Sequence, residues 1–228
     1  MDLKKNNTDK EHYRRSIKSQ IAKKTIWHIP NKQTTESNGV NYYNFAHSPV
    51  YFRDKRITQD ILSCIMLYRK PNCYKYLKDK RLFFIQTNKK FCSILLYCAL
   101  PFEVQVNRII AFLRKKKIYY VLVPRIIKND LKMVEFRLPL AKNYFHIKEP
   151  QSKIIERMTT IDIAVVPVLG VDKDLKRVGF GKGMYDRFYA TLRVKPYSIF
   201  VSRKKNISDA SLCNDYDIQA DIYISGRS

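Results

Sequence analysis

Acidic residues are scarce in this chain: 20 Asp and Glu stand against 44 Lys and Arg, leaving a formal charge of +24 over 228 residues. By itself such a charge suggests a nucleic-acid partner. A long basic tail and a recognisable nucleic-acid motif are both missing, however, and the basic residues, mostly Lys, are spread through every segment. A lysine-rich solvated surface is the preferred reading, and no nucleic-acid partner is expected. No apolar run reaches the 18 residues a membrane span needs, and "CSILLYCAL" is the longest candidate. The stretch "MDLKKNNTDK" lacks the apolar core of a signal peptide, so a cytoplasmic protein is expected. The five cysteines (Cys64, Cys73, Cys92, Cys98, Cys213) include no CxxC pair, and histidines do not cluster. Neither a disulfide framework nor a zinc site is indicated; reduced thiols, mostly in the core, are expected.

Glycine is also scarce, and its placement is informative. Three of the six glycines, Gly179, Gly181 and Gly183, fall within the stretch "RVGFGKGMYDRFY". Alternating glycines let a backbone approach a ligand closely with its N–H groups turned inward, and the helical pattern that follows would add a positive dipole end. Phosphate suits such a loop. A Walker loop is excluded because Lys182 is followed by Gly183 and not by a hydroxyl, and a dinucleotide fingerprint because the third glycine comes one residue early. Spacing alone leaves an ordinary surface turn equally open.

The remaining pattern is that of an α/β protein. Thr8 and Glu11 have capping-box spacing, and Tyr13, Ile17 and Ile21 recur every fourth residue, which predicts an amphipathic helix of about four turns. Lys10 and Arg14 share one face of it, and spacing alone favours two solvated charges. Trp27 to Tyr51 reads as a long irregular connection, and Ile61, Leu62, Ile65 and Met66 place a helix over Ile57 to Tyr68. From residue 91 onward, apolar runs alternate with helical ones: "CSILLYCAL", "VQVNRIIAFLRKKK", "IYYVLVP", "KMVEFRL", "IDIAVVPV", the helix after the glycine loop, "YSIFVS" and "DIYIS". This order predicts a three-layer α/β fold, a mostly parallel central sheet with helices on both faces. Ligands gather at the carboxyl ends of such strands. Two of those ends carry acid, at Pro101-Phe102-Glu103 and at Leu169-Gly170-Val171-Asp172, beside the glycine loop. Together they suggest a metal–nucleotide site facing a second substrate.

The ordered set "ILLYCALPFEV", "YFHIKEP", "IDIAVVPVLGVDKDLKRVGFGKGMYDRFY", "KPYSIFVS" and "YDIQADIYIS" resembles the 5-formyltetrahydrofolate cyclo-ligase family, also called methenyltetrahydrofolate synthetases. The resemblance covers residues 91–225 nearly continuously, and the Lys10/Arg14 helix fits the family's N-terminal pattern. Residues of about 28–80 match poorly within what is expected to be a single domain over 1–228. The resemblance implies an ATP- and Mg2+-dependent enzyme that converts 5-formyltetrahydrofolate to 5,10-methenyltetrahydrofolate with release of ADP and phosphate, through a phosphorylated formyl group.

By the same resemblance, Lys10 and Arg14 bind ATP phosphates, and Arg177 and Lys182 close over them from the Gly179, Gly181 and Gly183 loop. Asp186 is the implied magnesium ligand and Asp172 a weaker second one. Arg177, Lys182 and Asp186 form the implied catalytic set. Glu103 reads the pterin edge, where a carboxylate accepts two parallel hydrogen bonds, and Tyr185 lies against the folate; Glu149 is part of the match without a role. Without the resemblance, the acids read as turn or helix-start residues and Tyr185 as core. Three positions depart from the family pattern: Val168, Val171 and Met184. Bulk at Val168 is expected to tighten the pocket, and Met184 removes a hydroxyl. The substrate is expected to be a folate, with or without a polyglutamate tail, and the protein a monomer, a dimer being the alternative. Two other functions compete: a basic nucleic-acid binder derived from this fold, and an ATP-dependent enzyme acting on another folate or pterin.

Overall fold

The computed structural model describes residues 3–26, 49–68, 92–128, 130–144, 147–156 and 160–226, with side chains of the first two helices given at 7–22 and 54–68. Four helices and ten strands occur among them: α1 (Leu3–Ile26), α2 (Pro49–Tyr68), β1 (Cys92–Leu95), α3 (Asn107–Lys115), β2 (Tyr119–Ile127), β3 (Asp130–Glu135), β4 (Leu140–Lys142), β5 (Lys148–Pro150), β6 (Ile163–Pro167), β7 (Gly170–Val171), β8 (Arg177–Val178), α4 (Met184–Ala190), β9 (Tyr197–Ser202) and β10 (Ile222–Ser225).

Six strands form the central sheet in the order β10-β9-β6-β1-β2-β3, every neighbouring pair parallel except β2 with β3. The central strands β1, β2, β6 and β9 are largely apolar on both faces because both are covered. Ile94, Val121, Val123, Ile163, Val165, Ile199 and Val201 point to the layer containing α2 and α3; Leu95, Leu122, Ala164, Val166 and Phe200 point to the layer containing α4. This alternation is the two-residue period of a strand applied to central strands covered on both faces, whereas the edge strand β3 exposes Asp130 and Lys132. The expected three-layer fold is the one observed.

Helix α2 docks through Ile57, Ile61 and Ile65, all essentially inaccessible. Their spacing of four places them on one stripe, and each contributes about 1.5–3 kcal/mol on burial. Helix α3 buries Ile109, Ile110 and Leu113 and ends on Arg114 and Lys115, cations that suit a helix C-terminus.

Several boundaries differ from expectation. Helix α1 already runs from Leu3, so Thr8 lies inside it and is not its cap; Leu and Lys are good helix formers, and extending a nucleated helix is easy. Helix α2 begins at Pro49, inside the stretch expected to be irregular, whose residues 27–48 fall outside those described. Strand β1 stops at Leu95, with the Leu96 N–H still donating to the Leu122 carbonyl at 2.8 Å, and the rest of "CSILLYCAL" is irregular and leads to Glu103. The two small antiparallel pairs, β4 with β5 and β7 with β8, have too few residues to carry a readable period. Cys64, Cys92, Cys98 and Cys213 are free thiols, Cys73 lying outside the described residues. No described helix is long and apolar enough to cross a membrane.

Candidate active site

The chain passes from β1 through α3 to β2 on one side and later returns through β6 on the other. The crevice beyond the carboxyl ends of β1 and β6 is therefore a topological switch point, where open α/β sheets bind ligands. Three segments meet around it: the turn after β1, the glycine loop after β8, and α1.

The turn after β1 holds Glu103. Its N–H donates to the Leu100 carbonyl at 3.0 Å, and its carboxylate accepts the Leu100 N–H at 2.8 Å. Gln105 donates from its side chain to the Leu100 carbonyl at 3.0 Å, and the buried Tyr97 hydroxyl donates to the Val104 carbonyl at 2.8 Å. Burial pushes the Glu103 carboxyl up to about 7, outweighing the Leu100 N–H and the attraction of Arg203 and Arg177. The Tyr185 phenol is pushed up as well, first by burial and next by the charge of Glu103, so the two groups share one environment.

The glycine loop is folded around arginines. A Cβ on Gly179 would lie 2.5 Å from Nη2 of Arg177, so only glycine leaves room for that guanidinium. Gly181 has φ +98°, a conformation that L side chains rarely adopt. Arg177 is 7% exposed, lies 5.1 Å from the centroid of the Tyr185 ring, and places Nη2 3.4 Å from Asp186. Its Nε is buried without a hydrogen-bond partner among the described residues. Asp186, in the first turn of α4, otherwise accepts, among the described residues, only a long 3.4 Å contact from the Ile218 N–H, so its carboxylate retains acceptor capacity.

Helix α1 supplies cations to this loop. Arg14 donates from Nε to the Gly179 carbonyl at 2.8 Å and pairs with Glu11. Lys18 reaches the Phe180 carbonyl at 3.2 Å, with its ammonium 5.8 Å from the Phe180 ring centroid. Lys10 is 7% exposed and bonds Asp217 at 2.6 Å. Lys10 and Arg14 are thus held against the protein, and the solvated reading of their spacing is corrected. Phe180 in turn packs on Phe102, ring centroids 5.4 Å apart, which joins the glycine loop to the Glu103 turn.

Other expected residues are placed differently. Lys182 is exposed on the outside of the loop, where with Asp130, Met184 and Arg187 it lines an open cavity of about 460 Å³. Asp172 is completely buried; its carboxylate accepts N–H groups from Asp174 at 3.0 Å, Lys176 at 2.8 Å and Cys213 at 3.1 Å, which organises the β7–β8 turn. Val168 and Val171 are buried in the core cluster that includes Phe188 and Tyr189 of α4, with Met184 and Tyr185 packed against it. Glu149 is buried in β5, bonded to the Ile126 N–H at 3.2 Å. Among the described residues no three His, Cys, Asp or Glu side chains group as a metal cage. Lys18, Asp217, Phe102 and Phe180 were not singled out from sequence. Lys18 alone had a signal, since it continues the four-residue spacing of Lys10 and Arg14.

A family model for the 5-formyltetrahydrofolate cyclo-ligase family matches residues 75–221. The chain belongs to that family. Relatives named 5-formyltetrahydrofolate cyclo-ligase include one from Mycoplasma pneumoniae, 29% identical over 133 residues, covering 52% of this chain and 80% of the relative. Another, from Mus musculus, is 29% identical over 148 residues, covering 59% and 72%. The fold is shared with a 5,10-methenyltetrahydrofolate synthetase structure from Mycoplasma pneumoniae, with TM-score 0.57 at 20% identity, covering 95% of this chain and 98% of that one. The 5,10-methenyltetrahydrofolate synthetase of Aquifex aeolicus, solved by NMR, gives 0.52 at 20% identity, covering 77% and 84%. The family match begins at residue 75, after α1 and α2, so the contacts of Arg14 and Lys18 with the glycine loop, and of Lys10 with Asp217, are a finding of the tertiary structure.

Proposed function

We propose that this protein is an ATP- and Mg2+-dependent 5-formyltetrahydrofolate cyclo-ligase, producing 5,10-methenyltetrahydrofolate, ADP and phosphate. The observation that carries this reading is the contact of Phe102 with Phe180, 5.4 Å between centroids, because it joins a carboxylate-bearing turn to a cation-lined glycine loop in one crevice. One half suits the amino-pyrimidine edge of a pterin, the other a triphosphate.

The nucleotide fits the residues present. Arg177 offers a buried cation whose Nε has no partner among the described residues, and Arg14 and Lys18 bring two more cations to the same loop. Gly181 and Gly183 have positive φ, +98° and +60°, the kind of backbone from which anion-binding concavities are built. Magnesium fits through Asp186, since this metal is commonly held by one or two carboxylates together with substrate phosphates. The metal supplies charge neutralisation on the phosphates. Asp172 has its oxygens engaged by the β7–β8 turn, and we assign the metal contact to Asp186.

In the proposed chemistry the formyl oxygen attacks the γ-phosphorus and the bond to ADP breaks. The neighbouring bridge nitrogen then closes on the activated formyl carbon, phosphate leaves with the former formyl oxygen, and the nitrogen gives up its proton as the methenyl cation forms. Phosphoryl transfer of this kind needs positioning and charge stabilisation more than a protein nucleophile. Arg177, held on the Tyr185 ring and beside Asp186, provides a pre-oriented cation. Lys182 closes from the outer side of the loop. Glu103 orients the pterin, and Tyr185 lies against the folate.

Purified protein incubated with 5-formyltetrahydrofolate, ATP and magnesium should show growth of the near-ultraviolet absorbance of the conjugated methenyl cation. No signal above an ATP-free control would sink the assignment.

A further inference from the structure

Arg203 stands immediately beyond β9, at the same edge of the sheet as the crevice. Its guanidinium grips Asp54 of α2 with two parallel bonds, Nε to Oδ1 at 2.9 Å and Nη2 to Oδ2 at 2.7 Å. The remaining nitrogen, Nη1, donates to the Pro101 carbonyl at 2.6 Å. Oδ2 of Asp54 also accepts the Gln105 N–H at 3.3 Å. The pair is mostly buried, the side chains being 18% and 11% exposed. Pro101 and Gln105 lie two residues before and two after Glu103, so one ion pair holds both shoulders of the turn that presents the Glu103 carboxylate. A forked Arg–carboxylate pair has a fixed geometry that a lysine does not reproduce.

We infer that Arg203 and Asp54 are positioning residues for folate recognition: together they clamp the Pro101–Gln105 turn and set the orientation of Glu103, which makes α2 part of the substrate half of the site. The inference rests on the reading of Glu103 as the folate contact. Asp54 lies ahead of the residues the family model covers, and Arg203 was not marked by any motif. The pair acts through Glu103 and does not itself touch the reacting atoms. It also supplies a positive charge that favours the ionised form of Glu103.

The test uses the full chain with Arg203→Lys, Arg203→Gln, Asp54→Asn, the double variant Arg203→Gln/Asp54→Asn, and Glu103→Gln. Calorimetry without ATP gives the dissociation constant for 5-formyltetrahydrofolate, and steady-state kinetics give KM for folate and for ATP. Each single clamp variant should weaken folate binding by about tenfold while leaving KM for ATP within about twofold. The double variant should cost no more than the worse single, as for residues acting through one contact network. Arg203→Lys retains charge and most of the stem, so it folds, and it should still lose the effect that depends on the fork. Arg203→Gln, which removes the attraction, should also move the acidic limb of kcat/KM for folate to higher pH.

Parallel rises in both KM values, additive losses in the double variant, or wild-type folate affinity in Arg203→Lys would overturn the clamp. If Glu103→Gln itself leaves folate binding unchanged, the assignment of Glu103 fails. If Glu103→Gln weakens binding and the clamp variants do not, only the positioning inference fails.

Discussion

Arg14 of α1 donates from Nε to the carbonyl oxygen of Gly179 at 2.8 Å, across 165 positions of sequence. A cation on an N-terminal helix thereby fixes the backbone of a loop near the other end of the chain. The guanidinium also lies beside Gly181, where an added Cβ would come within 3.3 Å of Arg14 Nη1. Replacing Arg14 by Gln should loosen the loop and remove a charge from the nucleotide half. A charge-assisted contact of this kind is worth about 1.5–3 kcal/mol, so KM for ATP should rise by about ten- to a hundredfold. Folate affinity measured without ATP should be nearly unchanged; an equal loss for both ligands would show that α1 supports the whole crevice.

The elevated Glu103 carboxyl predicts a pH dependence of substrate capture. Accepting hydrogen bonds from an amino-pyrimidine edge requires the ionised acid, and burial pushes this group up to about 7. kcat/KM for folate, which reports the free enzyme, should therefore fall as pH drops through about 7, and Glu103→Gln should flatten that limb. Stability runs the opposite way. Because the folded state holds this proton more tightly than the unfolded chain, Glu103 favours folding at low pH, and the contribution is lost as pH rises from the ordinary carboxylate range toward 7. A pH series of thermal melts on wild type and Glu103→Gln should show wild type losing stability relative to the variant over that interval.

The two carboxylates considered for the metal should separate cleanly. Asp186→Asn should raise the magnesium concentration needed for half-maximal turnover by about tenfold or more and move Tm little, since the Asp186 contacts are both 3.4 Å long. Asp172→Asn disturbs a fully buried acceptor of three backbone N–H groups. A cost of about 3 kcal/mol is expected, which lowers Tm by about 6–12 °C in a protein of this size. A shifted magnesium requirement in Asp172→Asn at a temperature where it remains folded would transfer the metal role to that residue.

The charge of +24 remains to be assigned a use. ATP is polyanionic and folates with γ-glutamate tails carry additional negative charge, so under the proposed function a basic surface is expected to steer both toward the crevice over about 8–10 Å at moderate salt. Turnover of a polyglutamylated substrate should fall more steeply with added salt than turnover of the monoglutamate. Equal salt sensitivity would remove the steering role. Tight binding of random-sequence DNA or RNA at physiological salt, with the steep slope of counterion release, would favour a nucleic-acid partner instead.

The sequence by itself determined which runs form the central sheet and that most of them are parallel, while their order across the sheet came from the tertiary structure. Runs such as "IAVVP" and the "IFV" of "YSIFVS" are apolar at successive positions because parallel strands are covered on both faces, and that property survives in one dimension. The glycine loop was legible for a similar reason: Gly179, Gly181 and Gly183 answer local demands of backbone conformation and close approach. The tertiary structure alone decided which distant groups meet. Nothing near Lys10 announces Asp217, nothing near Asp54 announces Arg203, and nothing near Phe102 announces Phe180. Each pair is a long-range contact whose members have no shared periodicity to betray them, and a cation bound for a buried partner reads in sequence as one more charge on a wet surface. Asp172 and Asp186 look alike as acids beside a glycine loop, and only burial separates one whose oxygens are taken by the backbone from one that retains acceptor capacity.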